Sequence, residues 1–164
     1  MSHYCDTCGT ELVEKDHEEG VFPYCSACQV YKYPHFSVAM STILLNPEQD
    51  RLLLIKQGGK EGYILTAGYV SLGESVEETV VREVQEELGL SVTESRFLRS
   101  RYYEPSKTLM MNFVSVVASE DYVLKVDEVD QADWFSFCEA KKAIRSNSLA
   151  EQFLLSYLKE ASKA

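Results

Sequence analysis

An α/β fold is predicted for residues 36–164, preceded by a small four-cysteine module over residues 1–35. Two observations carry this reading. Four of the five cysteines stand in two C-x-x-C pairs before residue 29, in a segment sparse in apolar residues. From Phe36 onward, strand-patterned and helix-patterned stretches alternate instead. With 164 residues, 45% of them hydrophobic, the chain has material for one full domain and an appendage.

In the first module the run Glu18-Glu19-Gly20 marks a turn. Residues 37–45 (SVAMSTILL) and 51–57 (RLLLIKQ) then read as two strands joined by the turn Asn46-Pro47-Glu48. Gly58, Gly59 and Gly62 mark a loop, and YILTAGYV follows as short extended segments. Ser75 and Glu78 form an S-x-x-E capping box, which starts a helix at Val76; Gly89 stops it after Leu88. RFLRSRYY, LMMNFVSVVA and DWFSF read as further strands. Leu149, Phe153, Leu154 and Leu158 make a helical stripe in the tail from Ser148 to Ala161.

Cys5-x2-Cys8 and Cys25-x2-Cys28 are sixteen residues apart, a spacing at which two short turns present four thiolates to one tetrahedral Zn²⁺. Gly9 permits the tight turn after the first pair. Four cysteine ligands close such a site, so its expected role is structural. Cys138 stands alone beside Phe137 and reads as a buried small hydrophobe. An odd cysteine count suits a reducing compartment, and the chain opens without a basic, apolar leader. No stretch approaches the roughly eighteen apolar residues of a membrane span. The expectation is a cytoplasmic protein with no membrane partner.

The formal charge is −10, from 26 acidic against 16 basic residues. In the cysteine module, six acids face only Lys15 and Lys32. Such surfaces repel phosphate backbones, so no nucleic-acid partner is expected. A phosphorylated small molecule would be repelled too unless bound cations reversed the local sign.

Residues 68–90 (GYVSLGESVEETVVREVQEELGL) supply a place for those cations. At about 100° per residue, Glu83, Glu86 and Glu87 share one helix face beside the apolar stripe Val76, Val80, Val84 and Leu88. Like charges at these spacings repel unless something neutralises them. Mg²⁺ and Mn²⁺ take hard oxygen ligands and share them with substrate phosphates. Gly68, Glu74, Arg82, Glu83, Glu86, Glu87 and Gly89 are spaced as G-x5-E-x7-R-E-x2-E-E-x-G.

That pattern resembles the Nudix box at all seven positions. The resemblance implies an α/β/α sandwich with a mixed sheet, behind a four-cysteine zinc ribbon. It also implies an enzyme that hydrolyses the diphosphate of a nucleoside diphosphate derivative. Glu83, Glu86 and Glu87 would then be Mg²⁺ or Mn²⁺ ligands, joined by a backbone carbonyl at Ala67 or Gly68. Arg82 would orient the acids, Glu74 would hold the loop or assist the metal, and either Glu86 or Glu87 would help position the water.

The ribbon, Tyr33-Pro34 and the final helix resemble the NADH pyrophosphatase branch and its relatives acting on FAD or ADP-ribose. Homodimers are common among them, so a homodimer is expected here. NADH pyrophosphatases usually carry an additional N-terminal domain before the ribbon, and His35 stands where that branch commonly has arginine. The branch marker S-Q-P-W-P-F-P is replaced by Ser100-Arg101-Tyr102-Tyr103-Glu104-Pro105-Ser106. A further glutamate ligand of some relatives falls near Val116, which cannot ligate; Glu120 and Glu128 are the alternatives.

Stacking on an aromatic is worth roughly 1–3 kcal/mol per base. Tyr102, Tyr103, Phe36 and Tyr69 are the candidates to bind the base of a nucleotide substrate, and Arg101 and Lys107 to meet its phosphates. The alternative to an enzyme is a non-catalytic Nudix-fold module that senses a nucleotide, with the ribbon as its interaction surface.

Overall fold

A computed structural model describes residues 3–124 and 128–161. The chain divides into two compact units, Met1–Phe36 and Ser37–Ala164.

The first unit is a three-stranded antiparallel sheet of β1 (Val13–His17), β2 (Gly20–Cys25) and β3 (Val30–Tyr31). Short strands at these positions were not evident in the sequence. Two matching knuckles present the cysteines: Gly9 N–H donates to the Cys5 carbonyl at 2.9 Å, and Gln29 N–H to the Cys25 carbonyl at 2.8 Å. Both closing residues are left-handed, with φ of 74° and 58°. Glycine tolerates that conformation freely, and Gln29 adopts it at a cost.

The second unit is built on a six-stranded mixed sheet. Its strands are β4 (Ser37–Leu45), β5 (Arg51–Lys56), β6 (Thr66–Tyr69), β7 (Val92–Tyr103), β8 (Thr108–Val117) and β9 (Gln131–Ser136). They run in the order β7-β8-β4-β5-β9, with β6 also paired to β4. The β4–β8 pair is parallel and the others antiparallel.

Helix α1 (Val76–Leu88) covers one face, where Val84 and Leu88 pack with Leu44, Leu53 and Ile55. On the other face, α2 (Phe137–Ala143) and α3 (Leu149–Ala161) bury Ala140, Phe153, Leu154 and Leu158 against Ile43, Leu45, Leu52, Leu54, Val114 and Val116. Neighbouring strand residues thus point into different cores, which is why 43–45 and 52–55 are apolar without alternation. The result is an α/β/α sandwich.

Both bonds of the Ser75–Glu78 capping box are present, and Gly89 closes α1 with φ 64° and an N–H bond to the Gln85 carbonyl. Ser136 and Glu139 form a second capping box that starts α2, where the sequence reads only a strand ending at Phe137. No described helix is long and apolar enough to cross a membrane.

Candidate active site

The acids of α1 lie against β6. A Cβ built on Gly68 would come within 2.0 Å of Glu83 Oε1, so that carboxylate rests directly on the strand backbone. Arg82 ties the surrounding acids together. Its Nε and Nη2 donate to the two Glu74 oxygens at 2.7 and 3.0 Å. Nη1 donates to Glu83 Oε1 at 2.8 Å and Glu86 Oε2 at 3.0 Å, and Nη2 also reaches the Tyr69 carbonyl at 3.2 Å. The guanidinium beside Glu74 holds its carboxyl down to about 2, helped by Ser71 N–H and the Thr79 hydroxyl. The same acids raise the Arg82 pKa still further.

Glu87 differs from its neighbours in being buried, with 3% of its surface exposed. Oε1 receives only a long bond from Gln57 Nε2 at 3.4 Å, and Oε2 has no partner. Burial pushes its carboxyl up to about 8, with further contributions from the charges of Glu83, Glu128 and Glu86. Glu128 is therefore close enough to act on this group. Glu120 is engaged elsewhere, accepting from Arg51 Nη2 at 2.6 Å and Asn46 Nδ2 at 2.8 Å. Val116 faces the α3 core.

On the opposite face of the sheet a cleft of about 300 Å³ opens between the strands and the start of α3. Strand register puts Ala67, Ser41, Asn112 and Arg99 in one row across its floor. Met110 and Arg101 follow in the next row, and Leu149, Ala150, Gln152 and Phe153 line the α3 side. Arg99 is neutralised by Glu160 at 2.6 Å, whereas Arg101 bonds neutral Gln152 and no carboxylate among the described residues.

None of the four aromatic candidates lines this cleft. Tyr69 is two residues from Ala67 and so shares its sheet face; the residue is 60% exposed. Tyr103 shares the face of Arg101 and is half-buried, while Tyr102 points to the other face. Phe36 belongs to the N-terminal unit and is exposed. The residues missed at sequence level are Asn112, Ser41 and Gln152. Asn112 and Ser41 each stand as a polar residue in an apolar strand, a signal by which they could be found.

In the N-terminal unit, the four sulfurs of Cys5, Cys8, Cys25 and Cys28 lie within 4.8 Å of one another, a grouping able to hold a metal ion. The Thr10 hydroxyl and N–H hold the Cys8 thiol down to about 6, while Cys8 and Cys25 push Cys28 up to about 12. Cys138 is exposed rather than buried, because it occupies the first turn of α2 instead of a strand.

Residues 35–155 match the NUDIX domain. The chain belongs to that family. It is 31% identical over 163 residues to the NAD-capped RNA hydrolase NudC of Pseudomonas aeruginosa (strain LESB58), covering 99% of this chain and 58% of that protein. Identity is 32% over 157 residues to the protein of the same name from Stutzerimonas stutzeri (strain A1501), covering 94% and 55%. This Nudix chain thus spans little more than half the length of the curated relatives it matches.

The crystal structure of a NUDIX hydrolase from Nitrosomonas europaea superposes with a TM-score of 0.76 at 19% identity, covering 99% of this chain and 94% of that one. The NUDIX domain of Shewanella oneidensis NrtR, crystallised with ADP ribose, gives 0.63 at 14% identity, covering 85% and 92%. The RNA in the relatives' name stands against the expectation, drawn from net charge, that nucleic acid is excluded as a partner.

Proposed function

We propose that this protein is a Mg²⁺- or Mn²⁺-dependent Nudix pyrophosphatase acting on a nucleoside diphosphate derivative of the NADH, ADP-ribose or FAD type. The observation that carries this reading is Glu87, a buried carboxylate with an unpartnered oxygen among further acids. Glu83, Glu86 and Glu87 lie on the same helix, and among the described residues Arg82 is the cation bonded to Glu83 and Glu86. A divalent ion fits this donor set. Glu83, Glu86 and Glu87 would hold it, with the Gly68 carbonyl adjoining. When bound, such an ion lowers the pKa of a water and neutralises charge on phosphoryl oxygens.

The remaining roles fall to the chain itself. Arg82 orients the acids, Glu74 holds Arg82, and the cleft beyond Ala67 takes the nucleoside. Arg101, uncompensated at its rim, suits a phosphate. Water adds to one phosphorus, the bridging oxygen leaves with the second, and two monophosphates result, AMP being one of them. The four cysteines hold a structural Zn²⁺.

The test incubates purified protein and Mg²⁺ or Mn²⁺ with NADH, FAD, ADP-ribose and RNA capped by NAD, with products identified by mass spectrometry. Cleavage of none of them overturns the proposal. RNA belongs in the panel because the relatives are named for it and a cap presents the same diphosphate. Glu86→Gln and Glu87→Gln separate enzyme from sensor: an enzyme loses orders of magnitude in rate while keeping substrate binding, and a sensor has no rate to lose.

A further inference from the structure

We infer that Asn112 selects the substrate's ring, pairing its amide with a heteroaromatic edge that presents an N–H donor beside an acceptor. This rests on the reading of the cleft as the nucleoside site. Asn112 sits mid-row on the cleft floor, only 9% exposed, in a strand segment otherwise apolar on both sides. Among the described residues its amide has no hydrogen-bond partner. Its amide opens onto the cleft, so both its donor and its acceptor are available to a bound ring.

The other polar side chains around the cleft are largely committed. Arg99 is held by Ser156 and Glu160, Arg101 by Gln152, and the Ser148 hydroxyl by the Arg145 carbonyl and Glu151 N–H. Ser41 and Asn112 remain. Their small neighbour Ala67 leaves space above the row, and Met110, Leu149 and Phe153 give apolar surface for a flat ring.

An asparagine amide offers one acceptor oxygen and an NH₂ donor. That pair matches the amine and ring nitrogen of adenine, the pairing by which asparagine reads adenine in DNA. It matches equally the primary carboxamide of a nicotinamide ring. The shared chemistry is an adjacent donor and acceptor, and both halves of an NAD-type dinucleotide carry it. Aspartate offers acceptors only, and so suits the paired N–H groups of guanine.

The experiment compares kcat/KM in Mg²⁺ for NAD, its guanine-for-adenine analogue and its nicotinic acid analogue. Wild type, Asn112→Asp and Asn112→Leu are assayed together. Wild type is expected to favour NAD over at least one analogue by roughly 10- to 100-fold. If the cleft reads adenine, Asn112→Asp reverses the preference towards guanine while carboxamide discrimination persists. If it reads the carboxamide, Asn112→Asp sharpens discrimination against nicotinic acid, because two carboxylates repel, Asn112→Leu collapses it, and adenine preference persists. Should Asn112→Asp fail to fold, Asn112→Leu abolishes the same discrimination without reversing it. Wild-type indifference to both analogues, or unchanged discrimination in the variants, overturns the role of Asn112 while leaving the pyrophosphatase reading intact. Failure of wild type to cleave any of the three, or any other diphosphate, overturns both.

Discussion

Glu83 occupies the space that a side chain on residue 68 would fill: a Cβ on Gly68 would lie 2.0 Å from its Oε1 and 2.1 Å from its Cδ. The glycine is thus required by close approach and not by backbone angle. Gly68→Ala must push Glu83 aside, away from Arg82 and the neighbouring acids. A displacement of about 1 Å in a reacting constellation costs on the order of 10²-fold in rate. We therefore expect kcat/KM to fall by about that factor with little change in Tm. Full activity in the variant would show that Glu83 does not need to rest on β6.

Arg82 makes five hydrogen bonds from three nitrogens to Glu74, Glu83, Glu86 and the Tyr69 carbonyl. Lysine keeps the charge but cannot reproduce the fork. Arg82→Lys should lower activity by about 10–100-fold, the range seen when groups orienting metal ligands are removed. Glu74 adds a pH signature. Its folded pKa, about 2, lies below the unfolded 4.5, so its stabilisation is fully present above 4.5 and is lost as pH falls towards 2. In denaturant titrations Glu74→Gln should be less stable than wild type at pH 6, and the two should converge near pH 2.

Glu87 titrates in the opposite sense. With a folded pKa of about 8 against 4.5 unfolded, the cation-free protein retains this proton more tightly than the unfolded chain does. Stability from that source is complete below 4.5 and lost as pH rises through 8. A divalent ion must displace the proton, so Mg²⁺ affinity should rise by about tenfold per pH unit from 6 to 8 and then level. Calorimetry in buffers of different ionisation enthalpy measures the proton released. A flat profile in wild type would remove Glu87 from the ligand set, and Glu87→Gln should flatten it by design.

The cysteine knuckles invite a direct metal count. Cys25 is fully buried and its sulfur lies 3.5 Å from that of Cys8, so Cys25→Ser should release the ion and unravel the short strands around it. Purified wild-type protein should carry about one zinc per chain, by the stoichiometry of a four-thiolate site. Protein prepared without chelator that contains no zinc would defeat this assignment.

Some of this architecture was legible because its signals are local. The S-x-x-E box and Gly89 bracket α1 as expected, and the helical period alone gathers Glu83, Glu86 and Glu87 on one face. The same box at Ser136 and Glu139 is masked in the sequence, because Trp134, Phe135 and Phe137 carry the strand pattern one residue past the end of β9. Contacts across the sheet were out of reach. The approach of Glu128 to Glu87 depends on how the chain returns after β8, and no spacing encodes that. Asn112 was hidden for a related reason: period-2 reasoning takes a polar residue in a strand to face water, whereas this one faces a cleft roofed by α3. The aromatic candidates were chosen by residue type, and type does not reveal which sheet face a ring occupies.

Sheet face is what separates Tyr69 from Tyr102. Tyr69 follows Ala67 by two residues on the cleft side, at the edge nearest the acids of α1, and its exposed ring is available to stack. Tyr102 alternates with Arg101 and Tyr103 and so points away from the cleft. If the ring of Tyr69 covers a bound base, Tyr69→Ala should raise KM by roughly 5- to 150-fold, the equivalent of about 1–3 kcal/mol of stacking, with kcat less affected. Tyr69→Phe should restore it, since stacking needs the ring and not the hydroxyl. Tyr102→Ala should leave KM within about twofold of wild type. The reverse ranking of the two alanine variants, measured by steady-state kinetics on any substrate the protein cleaves, would move the base to the other face of the sheet.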